Sequence, residues 1–110
     1  MDEHSYTYEA IGPLYSIYVG SGPSGMITAD ERNIIVGLCR EDFDSFTFSN
    51  AAGFFRGEEE QSLVIQVATR DQEAVRRLAL KIARAHNQVS VGIGEPDPTS
   101  GVVLYGRIRP

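Results

Sequence analysis

A chain of 110 residues, 42% of them hydrophobic and 23% charged, is enough for one globular domain that buries about two thirds of its unfolded surface and folds without staples. A formal charge of −5 disfavours a nucleic-acid partner, because counterion release needs a concentrated basic surface; the basic cluster on the second helix can be neutralised by Glu58, Glu59 and Glu60. One cysteine forms no internal disulfide, and the acidic start Met1-Asp2-Glu3-His4 has no apolar run behind it, so the expectation is a cytoplasmic protein in a reducing compartment, with no membrane span.

Residues 1–13 form a head carrying Tyr6 and Tyr8. From Leu14 to Gly20, Tyr15, Ile17 and Val19 alternate with Leu14, Ser16 and Tyr18, the period of a half-buried strand. The loop Ser21 to Ile27 leads to Thr28, which with Glu31 three residues on makes a capping box. Ile34, Ile35, Leu38 and Cys39 are the expected buried stripe of this first helix, which ends near Asp42 to Asp44. Gly37 costs it about 1 kcal/mol relative to alanine unless close packing needs it.

Phe46 and Phe48 begin a second strand that continues into Phe54 and Phe55, with a bend or bulge expected at Ala52-Gly53. Arg56-Gly57 and the three glutamates make the turn into a strand from Ser62 to Ala68. Asp71 caps a second helix with Val75, Leu78, Ala79, Ile82, Ala83 and His86 on one face and Arg76, Arg77, Lys81 and Arg84 on the other. A strand from Val89 to Ile93 follows. Glu95-Pro96-Asp97-Pro98-Thr99-Ser100-Gly101 is a loop, and Val102 to Ile108 is a last strand, with Leu104 and Ile108 on one face and Tyr105 and Arg107 on the other.

The order is β-α-β-β-α-β with an added C-terminal strand. Right-handed crossovers turn it into an α+β, ferredoxin-like sandwich with both helices on one face of an antiparallel sheet. The expected division of the single domain, 1–110, is a head (1–13), a core (14–94), and a loop with the added strand (95–110). The other sheet face stays open, to be covered by a partner chain, the head, the last strand or a ligand.

Several motifs invite chemistry and fall short of it. Gly20-Ser21-Gly22-Pro23-Ser24-Gly25 matches G-x-G-x-x-G between a strand and a helix. Pro23 removes an amide, however, the helix starts only after Thr28, and Asp30 and Glu31 repel a phosphate in its first turn. Cys39, in mid-helix, has neither a cation nor a helix N-terminus to make a thiolate. His4, His86 and Cys39 lack ligand spacing, so no metal is expected, and no cofactor either. Gly53-Phe54-Phe55-Arg56-Gly57 has the look of the aromatic strand of an RNA-recognition fold, but adjacent phenylalanines point to opposite faces.

Two groups of site candidates remain. His86, in the last turn of the second helix, with Ser90 and a carboxylate such as Glu95, could do acid-base chemistry; the competing reading of His86 is a helix C-cap, favoured because no carboxylate lies on the same helical face within a few residues. Tyr18 (or Tyr15), Gln66, Gln88, Ser90 and Tyr105 are candidates to bind a ligand on the open face or pair it with a second subunit.

The Thr28-x-x-Glu31 helix, Phe46-x-Phe48, Gly53-Phe54-x-x-Gly57-x-x-Glu60 and Gln88-Val89-Ser90-Val91 together resemble a group of short uncharacterised bacterial α+β proteins, many of them exported, over Leu14 to Ile93. The resemblance implies the fold and carries no activity. The leading expectation is a binding or protein-interaction module, homodimeric through the open face, with a small molecule as a further possible partner. The alternatives are a small proton-transfer enzyme, a lyase or isomerase using His86, and an acidic inhibitor or immunity-type protein.

Overall fold

The computed structural model describes residues 4–21, 24–88 and 90–110. Its elements are β1 (Leu14–Gly20), α1 (Ala29–Asp42), β2 (Thr47–Phe55), β3 (Glu58–Ala68), α2 (Gln72–Ala85), β4 (Val91–Pro96) and β5 (Val103–Ile108). The strands form one sheet in the order β2-β3-β1-β4-β5, and every neighbouring pair is antiparallel. This is the expected ferredoxin-like order, with β5 extending the sheet beyond β4.

The period-2 and period-3.6 patterns meet in one core. Tyr15, Ile17 and Val19 of β1, Leu63, Ile65 and Val67 of β3, and Val91 and Ile93 of β4 are buried with Val75, Leu78, Ala79, Ile82 and Ala83 of α2 and Ile35 and Cys39 of α1. Register matches residue to residue, with Ile17 opposite both Ile65 and Ile93; a slip of one position would turn each strand inside out. Tyr15 therefore belongs to the core and Tyr18 to the open face.

Both helix starts are built as the sequence implies. Thr28 Oγ1 accepts from Glu31 N at 3.1 Å while Glu31 Oε1 accepts from Thr28 N at 3.1 Å, and Asp71 Oδ1 accepts from Ala74 N at 3.0 Å. The end of α2 is a Schellman turn: Asn87 takes a left-handed φ of 55°, and the amides of Gln88 and Asn87 donate to Ala83 O and Arg84 O.

Four boundary or face expectations are corrected. Arg56 and Gly57 have φ of 51° and 81°, a two-residue type I′ turn, so Phe55 pairs with Glu58 at once. The three glutamates thus lie in β3 rather than in a loop. The β2–β3 ladder runs unbroken through Ala52 and Gly53, without a bulge. Ile34 is exposed and Gly37 has open space around it, because the sheet beneath α1 reaches only the narrower Ile35–Leu38–Cys39 face. Finally, β4 continues through Glu95 and Pro96, the latter opposite Val103; Asp97 then organises the turn, accepting from Ser100 Oγ at 2.7 Å. Val89, expected to open the strand, lies outside the described residues.

Candidate functional site

A concavity of about 550 Å³ lies between the start of α1 and the β2–β3 hairpin. In the β2–β3 register Asn50 falls in phase with Phe48, and Gln61 with Leu63 and Ile65, so both belong to the helix-facing side of the sheet. Ile27, Thr28 and Arg32 close the opposite wall, and Leu63 contributes to the apolar lining.

Backbone and side-chain bonds hold these walls together. Gln61 Oε1 accepts from Ile27 N at 2.8 Å, Gln61 N donates to Gly25 O and Gln61 O accepts from Ser21 N, both at 3.1 Å. Arg32 stacks its guanidinium over Phe48, 5.3 Å from the ring centre, which fixes a cation beside the cleft. The capping box bounds it as well. The Thr28 amide and hydroxyl, together with a smaller contribution from His86, hold the Glu31 carboxyl below its ordinary range. The cleft therefore offers amides, one cation and an apolar floor, a combination suited to a small polar molecule with a flat apolar part.

The expected sites are distributed differently. The His86 side chain is buried, 7% exposed, with Nδ1 3.5 Å from Glu31 Oε2 and Nε2 without a partner among the described residues. The carboxylate beside it thus comes from the other helix. Glu95 is not its companion: it pairs with Arg76, Nε to Oε2 at 3.2 Å and Nη2 to Oε1, and this contact, chiefly its hydrogen bond, keeps Glu95 below its ordinary range. Arg76 precedes His86 by ten residues, about 15 Å of helix, so the two acids serve opposite ends of α2. Gln88 donates from Nε2 to Gly20 O at 3.2 Å, tying the end of α2 to the end of β1, and Ser90 is half-buried between them and β4.

On the open face, Tyr18 and Tyr105 come together with ring centres 5.7 Å apart over Gly92 and Gly94, which leave room for them. Gln66 lies on the same face and donates to Ser16 Oγ at 3.5 Å. Three of the five expected ligand-binding residues therefore share a surface, while Gln88 lies at the sheet's end. Cys39 is buried, and that burial pushes its thiol up to about 11. Among the described residues no three His, Cys, Asp or Glu side chains form a metal-ligand group, and no helix is long and apolar enough to cross a membrane.

Neither a family model nor a curated protein sequence matches this chain. Solved structures do. A phage SAM lyase in complex with S-methyl-5′-thioadenosine superposes with a TM-score of 0.61 at 16% identity, over 96% of this chain and 97% of that one. A phage SAM lyase in the apo state gives 0.60 at 18% identity, over 96% and 95%. The likeness is one of fold.

The cleft residues Arg32, Asn50 and Gln61 are absent from the sequence-derived candidates. A signal for two of them exists: Asn50 and Gln61 are polar residues at apolar phases of their strands, the mark of a helix-facing surface that no helix covers.

Proposed function

We propose that this chain is a small lyase acting on an S-adenosyl sulfonium compound, with the cleft between α1 and the β2–β3 hairpin as its substrate site. The observation that carries the reading is the end-to-end structural likeness to a phage SAM lyase, 96% of this chain on 97% of that one. The cleft's volume of about 550 Å³ suits a nucleoside-sized ligand, and a net charge of −5 favours a cationic substrate.

The chemistry asks little of side chains beyond positioning. When the bond from sulfonium sulfur to the amino-acid chain breaks, sulfur keeps the electron pair and becomes the neutral thioether of S-methyl-5′-thioadenosine. The remaining fragment closes its valence by losing a proton from the neighbouring carbon or by bonding its own carboxylate oxygen. Neither route consumes water or an oxidant. In this reading Asn50 and Gln61 orient the adenosine, Arg32 meets the amino-acid carboxylate, and apolar walls strip the sulfonium of the water that stabilises it. His86, outside the cleft lining, supports Glu31 rather than the reaction.

Incubating the purified chain with S-adenosylmethionine and separating products by chromatography tests this directly. S-methyl-5′-thioadenosine should accumulate in proportion to protein with no added cofactor. Arg32→Ala and Asn50→Ala should each raise KM by about tenfold or more, as lost positioning contacts do, while His86→Gln keeps turnover. If no product forms and calorimetry detects no binding of S-methyl-5′-thioadenosine, the lyase reading fails. The second reading, a self-associating binding module in the cytoplasm, would then lead. It is favoured by the exposed Tyr18–Tyr105 pair and the apolar strand beside it.

A further inference from the structure

A second hollow, of about 410 Å³, opens between the start of β1, the end of β4 and the first turn of α2. It lies at the other end of the sheet from the cleft: Leu63, in the cleft wall, pairs with Val19, whereas Tyr15, in the wall of the hollow, pairs with Val67. Pro13, Pro96 and Pro98 form its apolar sides, and Tyr15, Arg70 and Gln72 bring polar groups to it.

Tyr15 is the informative residue. Its side chain belongs to the core, and the residue is only 5% exposed. A buried tyrosine normally gives its hydroxyl a hydrogen-bond partner. Here no group among the described residues bonds that hydroxyl, nor is the oxygen sealed from solvent. What remains open of this side chain therefore faces the hollow that it lines.

The charges around the hollow are sorted in the same direction. Arg70 is exposed and makes no ion pair among the described residues. Asp71 Oδ1 takes the Ala74 amide and Asp71 N donates to Thr69 Oγ1 at 3.1 Å, which leaves the Gln72 and Glu73 amides at the start of α2 for another acceptor. Asp97 is already engaged, accepting from Ser100 Oγ at 2.7 Å and from Ser100 N at 3.3 Å. Those bonds hold its carboxyl below the ordinary range. Glu95 is taken by Arg76.

We propose that this hollow is a binding site for a small carboxylate with a flat apolar body. Arg70 and the α2 amides meet the carboxylate, the Tyr15 hydroxyl donates a further bond, and the three prolines pack against the body. A guanidinium fork matches a carboxylate, and a helix start favours an anion. Asp71 and Asp97 flank the place, so a monoanion is preferred to a phosphate dianion. The prolines offer apolar surface and no competing N–H. The rim is built in advance: Pro13 O accepts from Thr69 N at 3.1 Å, and Gly12 sits so close that a Cβ there would come within 2.6 Å of Thr69 C. Little ordering is then left for the ligand to impose. The hollow shares no lining residue with the cleft, so the inference stands apart from the lyase reading.

Calorimetry of the full chain with benzoate, benzamide and inorganic phosphate tests it. Benzoate should bind with a dissociation constant of about a millimolar or below. Benzamide keeps the ring without the charge and phosphate the charge without the ring, and each should bind about tenfold more weakly. Arg70→Gln should weaken benzoate about tenfold and leave benzamide unchanged. Tyr15→Phe keeps the ring in the core and removes the donor, so it should weaken benzoate about threefold or more while the urea midpoint stays where it is. No binding of benzoate, equal binding of benzamide or phosphate, or benzoate affinity unchanged in Arg70→Gln each overturns the proposal. A lowered midpoint in Tyr15→Phe overturns it too, since the hydroxyl would then serve the fold itself. S-adenosylmethionine turnover should be the same in both variants as in the parent, and because calorimetry needs no turnover, failure of this site and failure of the lyase reading are separate results.

Discussion

Gly92→Ala should reveal whether the tyrosine pair on the open face is held by design. A Cβ at Gly92 would lie 2.8 Å from Tyr105 Cζ and closer still to its hydroxyl, so the Tyr105 side chain must swing away from Tyr18. That forfeits an aromatic pair worth about 0.5 to 1.5 kcal/mol. Alanine in a strand recovers about 0.5 to 1 kcal/mol relative to glycine, so the single substitution should sit near neutral. In a Tyr105→Ala background nothing obstructs the new methyl, and the same change should stabilise by the full 0.5 to 1 kcal/mol or so. The double-mutant cycle should therefore return a coupling of about 1 kcal/mol. Gly94→Ala is the control, since its Cβ meets Tyr18 at an ordinary 3.7 Å. Urea melts followed by far-UV circular dichroism measure all the variants. Coupling below about 0.3 kcal/mol, the scatter of independent sites, would mean that Tyr105 does not rest on Gly92 in solution.

Leu78→Ala and Ile82→Ala should each cost about 2 to 5 kcal/mol in the same melts, and the exposed Arg77→Ala under about 0.5 kcal/mol. Thr28→Ala removes the N-cap oxygen and should cost about 1 kcal/mol. Glu31 titrates below its ordinary value in the folded chain, so its contribution is present above the unfolded carboxylate pKa and is lost as pH falls through the folded one; Glu31→Gln should flatten the acid limb of a stability-against-pH curve below about pH 4.5. Cys39 should remain unreactive toward a thiol reagent in native protein at neutral pH and react once denaturant unfolds it, because burial holds the thiol neutral at a pKa of about 11.

Local rules carried much of the fold. The alternation in β1 and β3, the apolar stripe of α2, the Thr28–Glu31 box and the Asp71 cap depend on neighbours within a few residues, and each appears in the structure where sequence spacing puts it. The Schellman end of α2 at Asn87 came from the structure, where asparagine tolerates the left-handed backbone that the turn needs. The strand ends were harder to place. A two-residue type I′ turn at Arg56–Gly57 carries three glutamates into β3, because the turn's own twist lets pairing begin at once, whatever the charge of the paired residues.

The site was hidden for a different reason. Sequence proximity puts Glu95 near His86, yet a helix of 14 residues separates their surroundings, and the acid that reaches His86, Glu31, is 55 positions away in the chain. Arg32, Asn50 and Gln61 share a cleft only because α1 stops short of the β2–β3 hairpin and leaves the helix-facing side of its outer half uncovered. Residue type and period determined which segments are helix and strand and which face each buries. Which polar groups converge was decided by packing, since the lengths and crossing of the helices set what part of the sheet they cover, and that quantity has no local signature.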